Sequence, residues 1–274
     1  MRCLIRSFPS AVLPCALLAG LALSPVPGAA ESSTATTVCS TANEFFVADA
    51  LSGIDSPCSI PAGDLMVESL YLQDASRIGG TALAIYPMFR LRTGVTDRVE
   101  VEADTPSQIA ESGRAGAGLY PTTHLGFGAS YTFAESDRLA VALGAEQLPP
   151  ISRFATTQTQ PKYGLDLSSG YRLTPRVTLQ AFADDSSSSK SGFQREFPSA
   201  ALGAAYGLSW ATQVSVDVGT RAVARRANLQ NFGNVTADQR ISKKMTFDAG
   251  LGTTFNPISN AKAHYLASGL NYRL

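Results

Sequence analysis

The chain has 274 residues, with 22 basic and 22 acidic side chains and a mean hydropathy of +0.04. That balance excludes the basic excess of a nucleic-acid binder, and the length allows one large domain or two small ones. A hydropathy near zero fits a soluble protein and equally a transmembrane β-barrel, half of whose strand positions face water.

Residues 1–30 read as a secretory signal peptide. Arg2 and Arg6 form a basic start, Ala11 to Leu23 an apolar stretch, and Gly28-Ala29-Ala30 a small-residue cleavage site after Pro25 and Pro27. The rival reading is an uncleaved anchor helix, but the apolar core is shorter than the roughly 20 residues a span needs. Pro14 before Cys15 does not suit a lipid-attachment site. Loss of Arg2 and Arg6 leaves 20 basic against 22 acidic residues, and Cys3 and Cys15 leave as well.

Residues 31–63 hold the other two cysteines. In an exported chain Cys39 and Cys58 are expected to form a disulfide that closes a short loop and contributes roughly 3 kcal/mol. No further Cys and no His lies near, so no metal site is expected, and the absence of Cys-x-x-Cys argues against redox chemistry. Thr41-Ala42-Asn43-Glu44 has capping-box spacing ahead of Phe45, Phe46, Ala48 and Leu51, and Gly53 follows. That spacing predicts a short amphipathic helix between the cysteines. The segment either plugs a barrel mouth from the periplasm or caps the start of the first strand.

From residue 64 to 274 the chain reads as strands. Leu125 to Phe133 alternates Leu, Phe, Ala, Tyr, Phe on one face with Gly, Gly, Ser, Thr on the other, the period of two that marks a strand. Similar alternation runs through 139–143, 165–173, 177–181, 214–218 and 247–251. The strands recur on one hairpin template. It starts at Thr93, Tyr131, Tyr171, Tyr206 and Gln239, intervals of 38, 40, 35 and 33 residues. Each unit is a strand, a tight turn and a returning strand. Five such turns, a closing strand over 266–274 and an opening strand over 65–72 predict an all-β, antiparallel, up-and-down transmembrane barrel of about 12 strands. The short N-terminal disulfide-linked segment precedes it.

The turns at 94–97, 134–137 and 174–175 are short. The connections near 105–123, 147–161, 184–197 and 221–237 read as long loops rich in Ser, Gly, Pro and charge. An even strand count puts both ends on the short-turn side, which in bacterial barrels is the periplasm. About ten residues per strand, tilted near 45°, rise about 23 Å, close to the outer membrane's apolar band of about 25 Å. Tyr131, Tyr171, Tyr206, Trp210 and Tyr272 fall beside the turn side, where an aromatic girdle meets the membrane interface. A soluble β-sandwich would also alternate but would not keep one hairpin template to the last strand. The uncharged run 198–216 has period two and so is no helix.

If the apolar face meets lipid, the other face lines the lumen. Phe89, Leu91, Val99 and Val101 then point out. Arg90 and Arg92 point in, with Glu100, Glu102 and Asp104 on the next strand, and a one-residue slip would place these charges in lipid. Further inward candidates are Glu146, Asp166, Arg172, Arg176, Asp184, Asp217, Asp248 and Arg273. This two-signed set serves either as cross-strand ion pairs filling a narrow barrel or as a polar constriction that filters solutes.

Catalytic motifs do not emerge. A barrel lipid hydrolase needs His and Ser two apart on one strand face, but Gly126 follows His124 and Leu266 follows His264. An omptin-like protease needs Asp-x-Asp and Asp-x-His, and no Asp precedes either histidine by two. Asp184-Asp185 before Ser186–Ser189 reads as a solvated loop tip rather than a cation site. No phosphate loop, metal cluster or nucleophile elbow stands out. No enzymatic activity and no cofactor are expected. The expected partners are outer-membrane lipid, the barrel-assembly machinery and a small-molecule solute.

The first hairpin, with Arg92-Thr93-Gly94-Val95-Thr96-Asp97 and then Val99-Glu100, resembles the outer-membrane proteins of the putative MetA-pathway of phenol degradation family. Tyr171-Arg172-Leu173-Thr174-Pro175-Arg176 and Gly269 to Leu274 look similar too, so the resemblance covers roughly residues 64–274. It implies a barrel that passes small, often hydrophobic or aromatic, compounds. Leu274 departs from it, since barrels usually end in Phe, and the Cys39–Cys58 segment is not part of the family pattern.

Overall fold

The alternating segments fold as strands. The computed structural model describes residues 37–39, 54–74, 82–105, 108–113, 116–121, 126–148, 162–189, 193–195, 199–223, 228–255 and 262–274. All belong to one compact unit, Thr36–Leu274. The strands are β1 (Leu65–Asp74), β2 (Ala82–Thr96), β3 (Val99–Asp104), β4 (Gln108–Gly113), β5 (Gly116–Pro121), β6 (Gly126–Glu135), β7 (Leu139–Leu148) and β8 (Lys162–Thr174). They continue as β9 (Val177–Ser189), β10 (Phe193–Arg195), β11 (Ser199–Gly207), β12 (Thr212–Val223), β13 (Asn228–Ser242), β14 (Met245–Phe255) and β15 (Lys262–Arg273).

Twelve of these strands form a closed antiparallel ring in the order β1, β2, β3, β6, β7, β8, β9, β11, β12, β13, β14, β15 and back to β1. Among the described residues, closure gives each of these twelve strands a neighbour on both sides. The other three lengthen the wall at the end away from the tight turns. β4 continues the line of β3 along β2, with Ile85 opposite Ile109, and β5 pairs β4. β10 continues the line of β11 along β9. The opening strand over 65–72 is therefore present, and the count of twelve holds.

The tight turns share one chemistry. In each, a Ser or Thr hydroxyl accepts the backbone N–H two residues on: Thr96 from Arg98, Ser136 from Arg138, Thr174 from Arg176, Ser209 from Ala211 and Ser242 from Lys244. In the first three the N–H three residues on donates as well. Such a hydroxyl mimics a backbone acceptor and so ends one strand and starts the next. The carbonyl just before each returning strand then accepts from the following hairpin, as in Thr132 N to Arg98 O at 2.9 Å and Arg273 N to Lys244 O at 2.8 Å. This is the physical content of the sequence repeat.

Three expected loops are shorter than the sequence suggested. The stretch 105–123 contains the β4–β5 hairpin. β9 runs through Asp184 and Asp185 to Ser189, so the Ser run is strand, paired to Lys162–Gly164 of β8, and not a loop tip. β12 reaches Val223 and β13 begins at Asn228, so most of 221–237 is strand. Runs of polar and small residues carry no apolar alternation, so nothing in the pattern marked these strand ends as strand. Residues 149–161 and the helix expected within 41–53 lie outside the described residues, as does the signal peptide.

The two wall faces invert the pattern of a water-soluble protein. Val216, Val235, Leu251 and Leu266 lie side by side on four adjacent strands, and all are exposed on the outer face. One residue along, Asp217 and Asn234 face each other and are buried inside.

Candidate functional site

The inner wall is the candidate site, and its first sector comes from the opening hairpin. Arg92, on β2, is 2% exposed. Its Nη1 donates to Glu68 Oε1 of β1 at 3.2 Å, and its Nε and Nη2 donate to Glu100 Oε1 of β3 at 2.8 and 2.6 Å. Two residues back along β2, Arg90 Nε donates to Asp104 Oδ1 at 3.0 Å and stands 3.9 Å from Glu102. Leu91, Phe89 and Val101 are exposed outside. Arg90 and Arg92 thus lie on the face of β2 opposite to Phe89 and Leu91.

The second sector is acidic. Glu102, Glu146, Asp166 and Asp184 line the inner faces of β3, β7, β8 and β9, with Asp166 directly opposite Asp184. Glycines alternate with them across the strands. Gly128 pairs with both Glu102 and Glu146, and Gly144 pairs with Asp166. A Cβ at Gly128 would stand 2.7 Å from Glu102 Cγ, and one at Gly164 would stand 2.7 Å from Glu146 Cγ. These carboxylate side chains therefore lie across the neighbouring glycines, along the wall.

The third sector, on β12 to β15 and β1, is a hydrogen-bonded polar surface. Asn234 Nδ2 donates to Asp217 Oδ2 at 2.7 Å, and Tyr265 donates to Asn234. Asn271 donates to Asp248, and Gln213 Nε2 donates to Asp238 Oδ2 at 3.3 Å. At the rim Arg273 Nε donates to Asp64 Oδ2 at 2.8 Å. These hydrogen bonds offset part of the cost of burying the groups they join.

Residues 37–39 and 54–63 lie against this inner wall at the turn end. Cys39 and Cys58 form the expected disulfide. Cys58 and Val38 are buried against Ala140 of β7. Val38 N donates to Ser136 O at 2.7 Å, and Arg172 Nη2 donates to Val38 O at 2.9 Å. On the other side Thr132 Oγ1 donates to Pro57 O at 2.8 Å and sits 3.1 Å from Ser59 Oγ. Ile60 N donates to Glu100 Oε2 at 2.9 Å. Ile54 occupies the space beside Gly203 of β11, where a Cβ would come within 2.8 Å of Ile54 Cδ1. Asp55 stands 3.7 Å from Arg90. The chain then turns at Gly63, whose φ of 84° favours a residue without Cβ, and bridges Gly94 before entering β1.

The sequence matches no family model, and no curated protein matches it. Solved structures do share the fold. A COG4313 outer membrane channel from Pseudomonas putida F1 superposes with a TM-score of 0.59 at 13% identity, covering 79% of this chain and 97% of that one. A KdgM porin gives 0.53 at 8% identity over 76% and 98%, and a NanC porin 0.52 at 10% over 77% and 100%. The fold is that of outer-membrane channel barrels.

Each lumen candidate among Arg90, Arg92, Glu100, Glu102, Asp104, Glu146, Asp166, Arg172, Asp184, Asp217, Asp248 and Arg273 sits on the inner face or its rim. Arg176 does not: it occupies the β8–β9 turn and is exposed. The turn's hydroxyl bond places it outside the pleat, which breaks the alternation that suggested an inward side chain. Tyr131, Tyr171, Tyr206, Trp210 and Tyr272 are all exposed on the outer face or in the turns. His264 is exposed on β15, and His124 lies outside the described residues. Sequence reasoning missed Glu68, Thr132, Asn234, Asp238 and Asn271. Strict parity along β1 would have found Glu68, while Asn234 fell within a stretch read as loop.

Proposed function

We propose that this protein is an outer-membrane channel that admits small molecules. The observation that carries the reading is the inverted wall: a closed ring, apolar outside and charged inside. A bilayer stabilises such a ring because every backbone group is paired within it. The start of β1 and the end of β15, which lie beside the short turns, belong in this reading to the periplasmic side together with the N-terminal segment. In this reading Tyr131, Tyr171, Tyr206, Trp210 and Tyr272 form the periplasmic aromatic girdle. Residues 31–63 act as a plug, strapped by Cys39–Cys58, that narrows the periplasmic mouth. Small, hydrophobic or aromatic solutes follow from the resemblance of the hairpin motifs to the phenol-degradation family.

Purified protein in planar bilayers is expected to conduct, and deletion of residues 31–63 is expected to raise its conductance. A well-folded barrel that leaves the bilayer sealed in both forms would overturn the channel. The second reading is a structural or ligand-binding barrel with a closed lumen. The buried Arg92 network and the segment filling the turn end favour it. It predicts the sealed bilayer and, for the deletion, lost stability without conductance.

A further inference from the structure

The five tight turns share one hydroxyl bond but differ in surface. One sector of the rim combines a tryptophan with a run of cations. Trp210, the chain's single tryptophan, lies in the β11–β12 turn and is 75% exposed. The Arg240 guanidinium, from the end of β13, stands 6.0 Å from its ring centroid. Arg240 N also donates to Ala211 O at 2.8 Å, so the turn and the strand end are tied together. Lys243 and Lys244 follow in the β13–β14 turn and are exposed. Tyr206 and Tyr272 are exposed to either side. Residues 206–213 and 239–247 contain no carboxylate. Asp238, just before them, faces the lumen and accepts from Gln213.

We propose that the sector formed by Trp210, Arg240, Lys243 and Lys244 binds the headgroup of an anionic glycerophospholipid in the periplasmic leaflet. This rests on the outer-membrane reading above. Trp210 supplies an amphipathic ring at the depth of the headgroups, and Arg240 fixes that ring by cation–π contact. Lys243 and Lys244 place two ammonium groups where a lipid phosphate would lie, uncompensated by any acid in the two turns. A zwitterionic headgroup gains less there because its own ammonium opposes the cluster.

Because Trp210 is the only indole, its fluorescence reports this sector alone. The barrel is reconstituted in mixed vesicles in which either phosphatidylglycerol or phosphatidylcholine carries bromine near the head of its acyl chain. Brominated phosphatidylglycerol is expected to quench Trp210 several-fold more effectively at equal mole fraction, since each basic group near a surface enriches anionic lipid by up to about fivefold. The preference should shrink in high salt. It should vanish in R240Q/K243Q/K244Q and drop in K243Q/K244Q, which changes exposed turn residues only. R98Q/R138Q, on distant turns, should keep it. Equal quenching by both lipids in the unmodified protein would overturn the proposal while leaving the membrane reading intact, as would a preference that survives the triple variant. No quenching by either lipid would overturn both.

Discussion

Among the described residues Arg92 has two carboxylate partners, and it is almost fully buried. Glu68 and Glu100, on the strands either side, are 0% and 3% exposed. Three charge-assisted bonds of 2.6 to 3.2 Å fix the guanidinium's plane. Removing the cation leaves two buried carboxylates facing each other, a situation that costs about 3–5 kcal/mol. Arg92→Ala is therefore expected to lower the urea midpoint of the folded barrel in detergent clearly. Arg92→Lys should recover part of the loss, since a point charge cannot serve both carboxylates with a fork. Glu68→Gln with Arg92→Met should be milder than Arg92→Ala alone. An Arg92→Ala midpoint equal to the original would show that water fills the gap and that the network is incidental.

The elements divide by how their side chains meet solvent. β6, β8, β12 and β14 have apolar residues on one face and small or polar ones on the other, so two-residue periodicity sufficed to place them. The seated segment lacks any period and depends on long-range fit. Its route is set by Gly94, a residue whose sequence context indicated only a turn. A Cβ on Gly94 would collide with the backbone carbonyl oxygens of Ile60 and Pro61, which cannot rotate away. Gly94→Ala should thus displace residues 60–63 while sparing the β2–β3 hairpin. If the segment narrows the mouth, conductance should rise toward that of the deletion lacking 31–63. A conductance unchanged by Gly94→Ala, with the barrel folded, would mean the segment does not control flux. The ring was legible because two-residue alternation separates an apolar face from a polar one along each strand, and a register slip there is costly. The segment's seat was not, because Thr132, Gly203 and Arg172 look like ordinary strand residues until closure brings their faces together.

At the scale of the whole molecule, the sign of the lumen matters more than any one pair. The chain as a whole is close to neutral, yet among the described residues its inner face carries more carboxylates than guanidiniums. Arg90 and Arg92 are held among Glu68, Glu100, Glu102 and Asp104, and Arg273 is held by Asp64. Glu146, Asp166 and Asp184 line a further stretch of the wall on β7, β8 and β9, and Arg172 of β8, nearer the turn end, is bonded to Val38 O. A low-dielectric wall focuses such a field on the axis and raises the local concentration of cations over anions. Under a potassium chloride gradient across a planar bilayer, the reversal potential should therefore take the sign of a cation-preferring pore. E146Q/D166N/D184N should move it toward zero, and high salt should weaken it in both proteins. Because these carboxylates belong to the wall, the preference should persist when residues 31–63 are deleted, even as conductance rises. An anion-preferring reversal potential would mean that the path of the ions avoids this sector.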